Sequence, residues 1–122
     1  MVELLLRREA YEPLADLLLV QGETLHAPHL LDAEVTQVLR RLEGAGTVSA
    51  SRATEAVQDL LALRIVRHRS SPLLLRVWQL RQNLSAYDGL YVALAEALEA
   101  PLVTTDHRLA GAPGHTARIL TP

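Results

Sequence analysis

Asp88 and Asp106 are the residues whose type and setting could do chemistry. Asp88 follows Ser85-Ala86-Tyr87 and opens an apolar-rich stretch that runs to Glu96, while Asp106 closes the segment Leu102-Val103-Thr104-Thr105-Asp106. The first pattern reads as the opening turn of an amphipathic helix and the second as the exit of a short strand. In an open α/β sheet the carboxyl ends of strands and the adjacent helix starts line one crevice, so these two carboxylates can converge. With Glu34 they suggest an acidic, metal-binding centre. Carboxylates gathered in one place raise one another's pKa unless a cation shares the site. Mg²⁺ or Mn²⁺ suits such hard oxygen donors. An ion of this kind acidifies a bound water and neutralises charge developing on a phosphate, a route to phosphodiester hydrolysis.

Each acid also has a structural explanation. Ser85-x-x-Asp88 matches a capping box, in which the acid bonds back to the N-cap amide and favours the helix dipole. Asp106 can cap the turn that follows it. Glu34 stands in the first two turns of its helix, where any acid is mildly stabilising. What favours a site is their joint placement beside expected strand ends. Helical geometry does not choose between Asp32 and Glu34, which flank the apolar stripe of Leu31, Val35, Val38, Leu39 and Leu42 on opposite sides.

The elements that must position these groups alternate in type. Helices are expected over 2–8 and 11–19, the second with Pro13 in its first turn. A short strand follows at 24–27, then a helix opened by Pro28 and ended by Gly44 and Gly46. Ser49 or Ser51 caps a helix reaching residue 62, and 65–66 forms a strand. Ser70-Ser71-Pro72 starts a helix with the stripe Leu74, Leu75, Val77, Trp78 and Arg81, which places Trp78 in the core or a subunit interface. Ser85 starts the next helix. A strand at 102–104, a helical turn at 106–110 and an edge strand at 119–120 complete the chain. Short strands between helices indicate an α/β fold with a mostly parallel sheet covered on both faces.

Composition narrows the chemistry. The chain has 122 residues, enough for one domain, with 49% hydrophobic residues and a formal net charge of −2. That charge excludes a global basic field of the sort that holds nucleic acid by phosphate contacts alone. All 12 basic residues are arginine, so Schiff-base and phosphate-loop lysine chemistry are out, and a phospho-acceptor receiver lacks its lysine. Zero cysteines exclude thiolate catalysis and cysteine-bound zinc. None of His26, His29, His68, His107 and His115 has zinc-ligand spacing. Apolar runs such as Leu17 to Val20 are far short of a membrane span, and no signal peptide is recognisable. The expected compartment is the cytoplasm. Arg7, Arg8, Arg40, Arg41 and Arg108 are candidate phosphate contacts.

Pro28-x-Leu30-Leu31-x-x-Glu34-Val35, Tyr87-Asp88-x-x-Tyr91-x-x-Leu94-Ala95-Glu96 and Leu102-x-Thr104-x-Asp106 together resemble PIN-domain ribonucleases of the VapC toxin type. The resemblance covers essentially the whole chain. Gly89 departs from it, standing where such proteins more often have alanine. It implies one PIN-like domain over 1–122, a three-layer sandwich with a mostly parallel central sheet. It also implies that Glu34, Asp88 and Asp106 form the metal-binding acidic centre, with Thr104 as its hydroxyl neighbour. The implied activity is Mg²⁺- or Mn²⁺-dependent endonucleolytic cleavage of RNA, and the implied partners are an antitoxin and a second copy of the chain. Family members begin with an apolar strand ending in an aspartate, and here both are absent. Four apolar side chains on such a strand would contribute about 6–12 kcal/mol of burial, so this chain is expected to be weakly active or inactive. The alternative is a catalytically dead PIN-like module that keeps only antitoxin or partner binding.

Overall fold

The computed structural model describes residues 24–121. The helices expected over 2–8 and 11–19, the candidates Arg7 and Arg8, and the expectation about a first strand lie outside those residues.

In chain order the elements are β1 (Leu25–Pro28), α1 (Leu30–Gly44), α2 (Ala50–Ala62), β2 (Ile65–His68), a 3-10 turn (Ser71–Leu73), α3 (Leu74–Gln79), α4 (Ala86–Leu98), β3 (Leu102–Val103), α5 (Arg108–Gly111) and β4 (Ile119–Leu120). Among the described residues the strands form two pairs, β1 with β2 and β3 with β4. The second pair is parallel, Leu102 opposite Ile119 and Val103 opposite Leu120. Mixed helices and short parallel strands are the expected α/β arrangement. Pro28 departs from expectation: it ends β1 and does not open α1. A proline donates nothing to a ladder and is tolerated at a strand end. The amide of His29 still bonds the His68 carbonyl at 2.9 Å, which holds the chain extended until Leu30.

The described chain divides into two compact units, one containing Leu30–Val66 and the other containing His26–His29 and everything from Arg67 onward. In the first, α1 packs on α2. Leu31, Val35 and Leu39 are buried at helical spacing on α1, and Ala56 and Leu60 on α2. The chain leaves α1 through Gly46, whose φ of 75° suits a residue without Cβ, and the Thr47 amide bonds back to the Leu42 carbonyl at 2.9 Å. Ser49, the first of the two expected caps, accepts the Arg52 amide at 3.1 Å.

The second unit is built around α4, which is buried at Gly89, Leu90 and every position from Val92 to Ala95. Its core joins Leu80, Leu84, Val92 and Leu109, with Leu102, Ala112, Ala117 and Ile119 packed against them. Each such leucine, fully buried, contributes about 1.5–3 kcal/mol, so few contacts hold β3, α5 and β4 in place. α3 lies on α4 where Gly89 allows close approach. A Cβ there would stand 3.1 Å from Val77 Cγ1, so alanine would require Val77 to yield. Trp78 is not core: it is 65% exposed with the Arg81 guanidinium 4.4 Å from its ring centroid. On so short a helix only Val77 of the stripe turns inward, leaving Leu74 and Leu75 exposed as well.

Candidate functional site

Ser85 fixes the start of α4. Its Oγ accepts the Asp88 amide at 3.1 Å, the side-chain-to-amide half of the expected capping box. Asp88 is thereby set in the first turn, half-buried, on a helix whose following residues are anchored in the core.

Thr104 and Asp106 are placed by the end of β3. The Thr104 amide continues the ladder to the Leu120 carbonyl at 3.0 Å. Its Oγ1 then accepts the Asp106 amide at 3.0 Å, a local turn that commits the aspartate's backbone. The Asp106 carboxylate answers Arg108 three times. Oδ1 accepts the Arg108 amide and Nε–H, each at 3.0 Å, and Oδ2 accepts Nη2–H at 2.9 Å. The hydrogen bonds from the guanidinium, then that from the amide, hold the Asp106 carboxyl below the usual carboxylate range, with the charge of His107 adding slightly. In return, hydrogen bonding to Asp106 and its charge raise the Arg108 guanidinium, and the charge of Asp88 acts in the same direction. Asp106 thus engages Arg108 directly, with Thr104 holding the Asp106 backbone, while Asp88 acts on that guanidinium only through the weak reach of its charge.

Glu34 belongs to the other unit, half-buried one residue before the buried Val35. Asp32 is also half-buried, so burial does not separate the two acids either. Among the described residues of either unit, no three His, Asp or Glu side chains are grouped as a metal ion alone would require.

Two arrangements escape a reading of the sequence. Glu96 sits among the buried residues of α4 and is gripped by Arg76, whose Nε–H and Nη2–H reach Oε1 and Oε2 at 2.7 and 2.9 Å. Glu96 Oε2 also accepts the Thr116 amide at 2.8 Å and its hydroxyl at 3.0 Å. Hydrogen bonding from Arg76, supported by Thr116, lowers the Glu96 carboxyl to about 2. An acid inside an apolar helix face is itself a signal, since a buried charge demands a partner, but it does not say which. The second arrangement is His26 Nδ1 against His68 Nε2 at 2.8 Å, joining residues 42 apart.

The sequence matches the PIN domain family model over residues 1–114. The chain belongs to the PIN-domain family. Within it, the VapC type is indicated by its relatives. It is similar to Ribonuclease VapC1 of Mycobacterium tuberculosis, 48% identical over 97 residues that cover 79% of this chain and 73% of the relative. It is also similar to Ribonuclease VapC12 of the same organism, 40% identical over 118 residues covering 97% and 90%. Ribonuclease VapC9, likewise from that organism, is 46% identical over 91 residues covering 75% and 72%. In this PIN domain the matched region contains Glu34, Asp88, Thr104, Asp106 and Arg108.

Proposed function

We propose that this PIN domain, acting as one domain over 1–122, is an endoribonuclease and the toxin of a type II toxin–antitoxin pair. It hydrolyses RNA phosphodiester bonds with Mg²⁺ or Mn²⁺ at a centre formed by Asp88, Asp106 and Glu34. The observation that carries this reading is the match of the chain to the PIN family, with relatives named ribonucleases, together with Asp88 in the first turn of α4 and Asp106 just after β3. The Arg108 guanidinium on Asp106 acts as a stand-in cation, which fits an ion with a preference for carboxylate oxygen. Mg²⁺ needs only one or two protein carboxylates when substrate phosphates complete its shell.

When bound, the ion supplies charge neutralisation for the phosphate and an acidified water. Asp88 and Asp106 hold it through carboxylate oxygens, with Glu34 as the third acid. Thr104 acts through its bond to the Asp106 amide, orienting that carboxylate. The second reading, a binding module without activity, is favoured by the engagement of Asp106 with Arg108.

The partners in this proposal are RNA, an antitoxin protein and a second copy of the chain. The exposed Leu74, Leu75 and Trp78 support the last, because clustered surface apolar groups mark interfaces. No described helix is long and apolar enough to cross a membrane, and the compartment proposed is the cytoplasm. Purified protein incubated with total RNA tests the activity. Weak or no cleavage is the expected result for the chain itself. With an apolar strand ending in an aspartate added ahead of it, the expected result is cleavage with Mn²⁺ that EDTA abolishes and that Asp88→Asn reduces to background without loss of helical signal. Cleavage by the extended Asp88→Asn variant equal to that of the extended chain would remove Asp88 from the centre, and antitoxin binding without cleavage by either form would establish the binding-only reading.

A further inference from the structure

The Asp106 carboxylate is already in use. A carboxylate has about four lone-pair positions, and three are taken by one residue, two of them by the planar fork of the Arg108 side chain. The Arg108 side chain is 88% exposed and that of Asp106 31%. Exposed pairs are weak and screened by salt, and exposed side chains change rotamer within nanoseconds. The fork is therefore an occupant that a stronger cation can evict.

We propose that Arg108 is a competitor built into the acidic centre, its guanidinium covering the Asp106 oxygens until a divalent cation displaces it. The inference rests on the acidic-centre reading above and adds a control on loading. A site populated in its open form only part of the time binds with an affinity reduced by that fraction. Arg108 would thus keep the centre empty at low cation concentration. The amide bond from Arg108 to Oδ1 belongs to the turn and survives replacement of the side chain, so a variant alters the fork without altering the placement of Asp106.

Two measurements on the full chain test this. Titration with Mn²⁺ followed by calorimetry should show Arg108→Ala binding about two- to fivefold tighter than the unaltered chain, the range an exposed ion pair allows. Arg108→Lys keeps the charge and loses the fork. It should move in the same direction, whereas a purely electrostatic effect would leave it unchanged. Titration with diamagnetic Mg²⁺, followed on the Arg108 Nε–Hε resonance, should shift that signal to the position of free arginine as binding saturates. Mg²⁺ binding with the Arg108 resonance unmoved, or Arg108→Lys and Arg108→Ala both matching the unaltered chain, overturns the inference alone. No binding by any form overturns it together with the metal-centre reading.

Discussion

The Arg76–Glu96 and Arg108–Asp106 forks of the C-terminal unit share chemistry while differing in setting. Arg76 grips Glu96 across 20 residues of chain, donates to the Gly114 carbonyl at 3.0 Å, and shares Glu96 with the Thr116 backbone. Arg108 grips Asp106 two residues away and carries an almost fully exposed side chain. The first ties α3, α4 and the segment entering β4 into one network, and Glu96 is only 12% exposed within it. The second ties a turn to itself. A fork can therefore be a structural joint or a releasable contact, and what decides is sequence separation and exposure rather than bond length. Unequal consequences of breaking the two pairs test this contrast.

The largest effect is expected at Glu96→Ala. Removing one partner of a fully buried pair costs roughly 3–5 kcal/mol. The Arg76 side chain is 35% exposed and can rehydrate in part, so a loss of about 2–3 kcal/mol is expected from urea unfolding. A loss too small to resolve would erase the distinction between the forks.

Acid should sharpen it. The Glu96 carboxyl is lowered from 4.5 to about 2. A depressed folded pKa contributes stability that is complete above the unfolded value and disappears as pH falls through the folded one. Stability should therefore decline from about pH 4.5 toward pH 2, by at most about 3 kcal/mol from this group, and less given the exposure of Arg76. Asp106 contributes in the same direction, weakly, because solvent screens it. Unfolding curves of Glu96→Gln over that window should be flatter than those of the unaltered chain. Parallel slopes would mean that Glu96 is not the titrating joint.

The local half of this architecture was legible and the long-range half was not. The α1 stripe, the Ser85 cap and the Asp106 cap of the following turn each depend on residues within a few positions of one another, where spacing carries the information. Glu96, Arg76 and Thr116 meet only because α3 and β4 pack on α4, and no periodicity encodes that. The His26–His68 contact is equally non-local. Trp78 shows the converse failure. A helix as short as Leu74–Gln79 buries one position, Val77, so a stripe that looked like core is mostly surface. Of the candidate site, Asp88 and Asp106 stood out by local pattern and Thr104 only through the family resemblance, while Arg108 was legible only as a charge. Its grip on Asp106 depends on a turn whose geometry the residue types allow without demanding.

The smallest effect on stability is expected at Arg108→Ala. The guanidinium bonds the Asp106 carboxylate, and the side chain is 88% exposed. Losing it forfeits a screened attraction and returns rotamer freedom that the fork had restricted, two contributions of opposite sign and similar size. Two bonds that define the turn remain, from the Asp106 amide to Thr104 Oγ1 and from the residue-108 amide to Asp106 Oδ1. Leu109, which anchors α5 in the core, is untouched. Thermal and urea unfolding of Arg108→Ala should therefore overlay those of the unaltered chain in the absence of divalent cation. The comparison breaks if this variant loses stability on the scale of Glu96→Ala, because the Asp106 fork would then be a second joint, and its release by a cation would have to unfold the turn that presents Asp106.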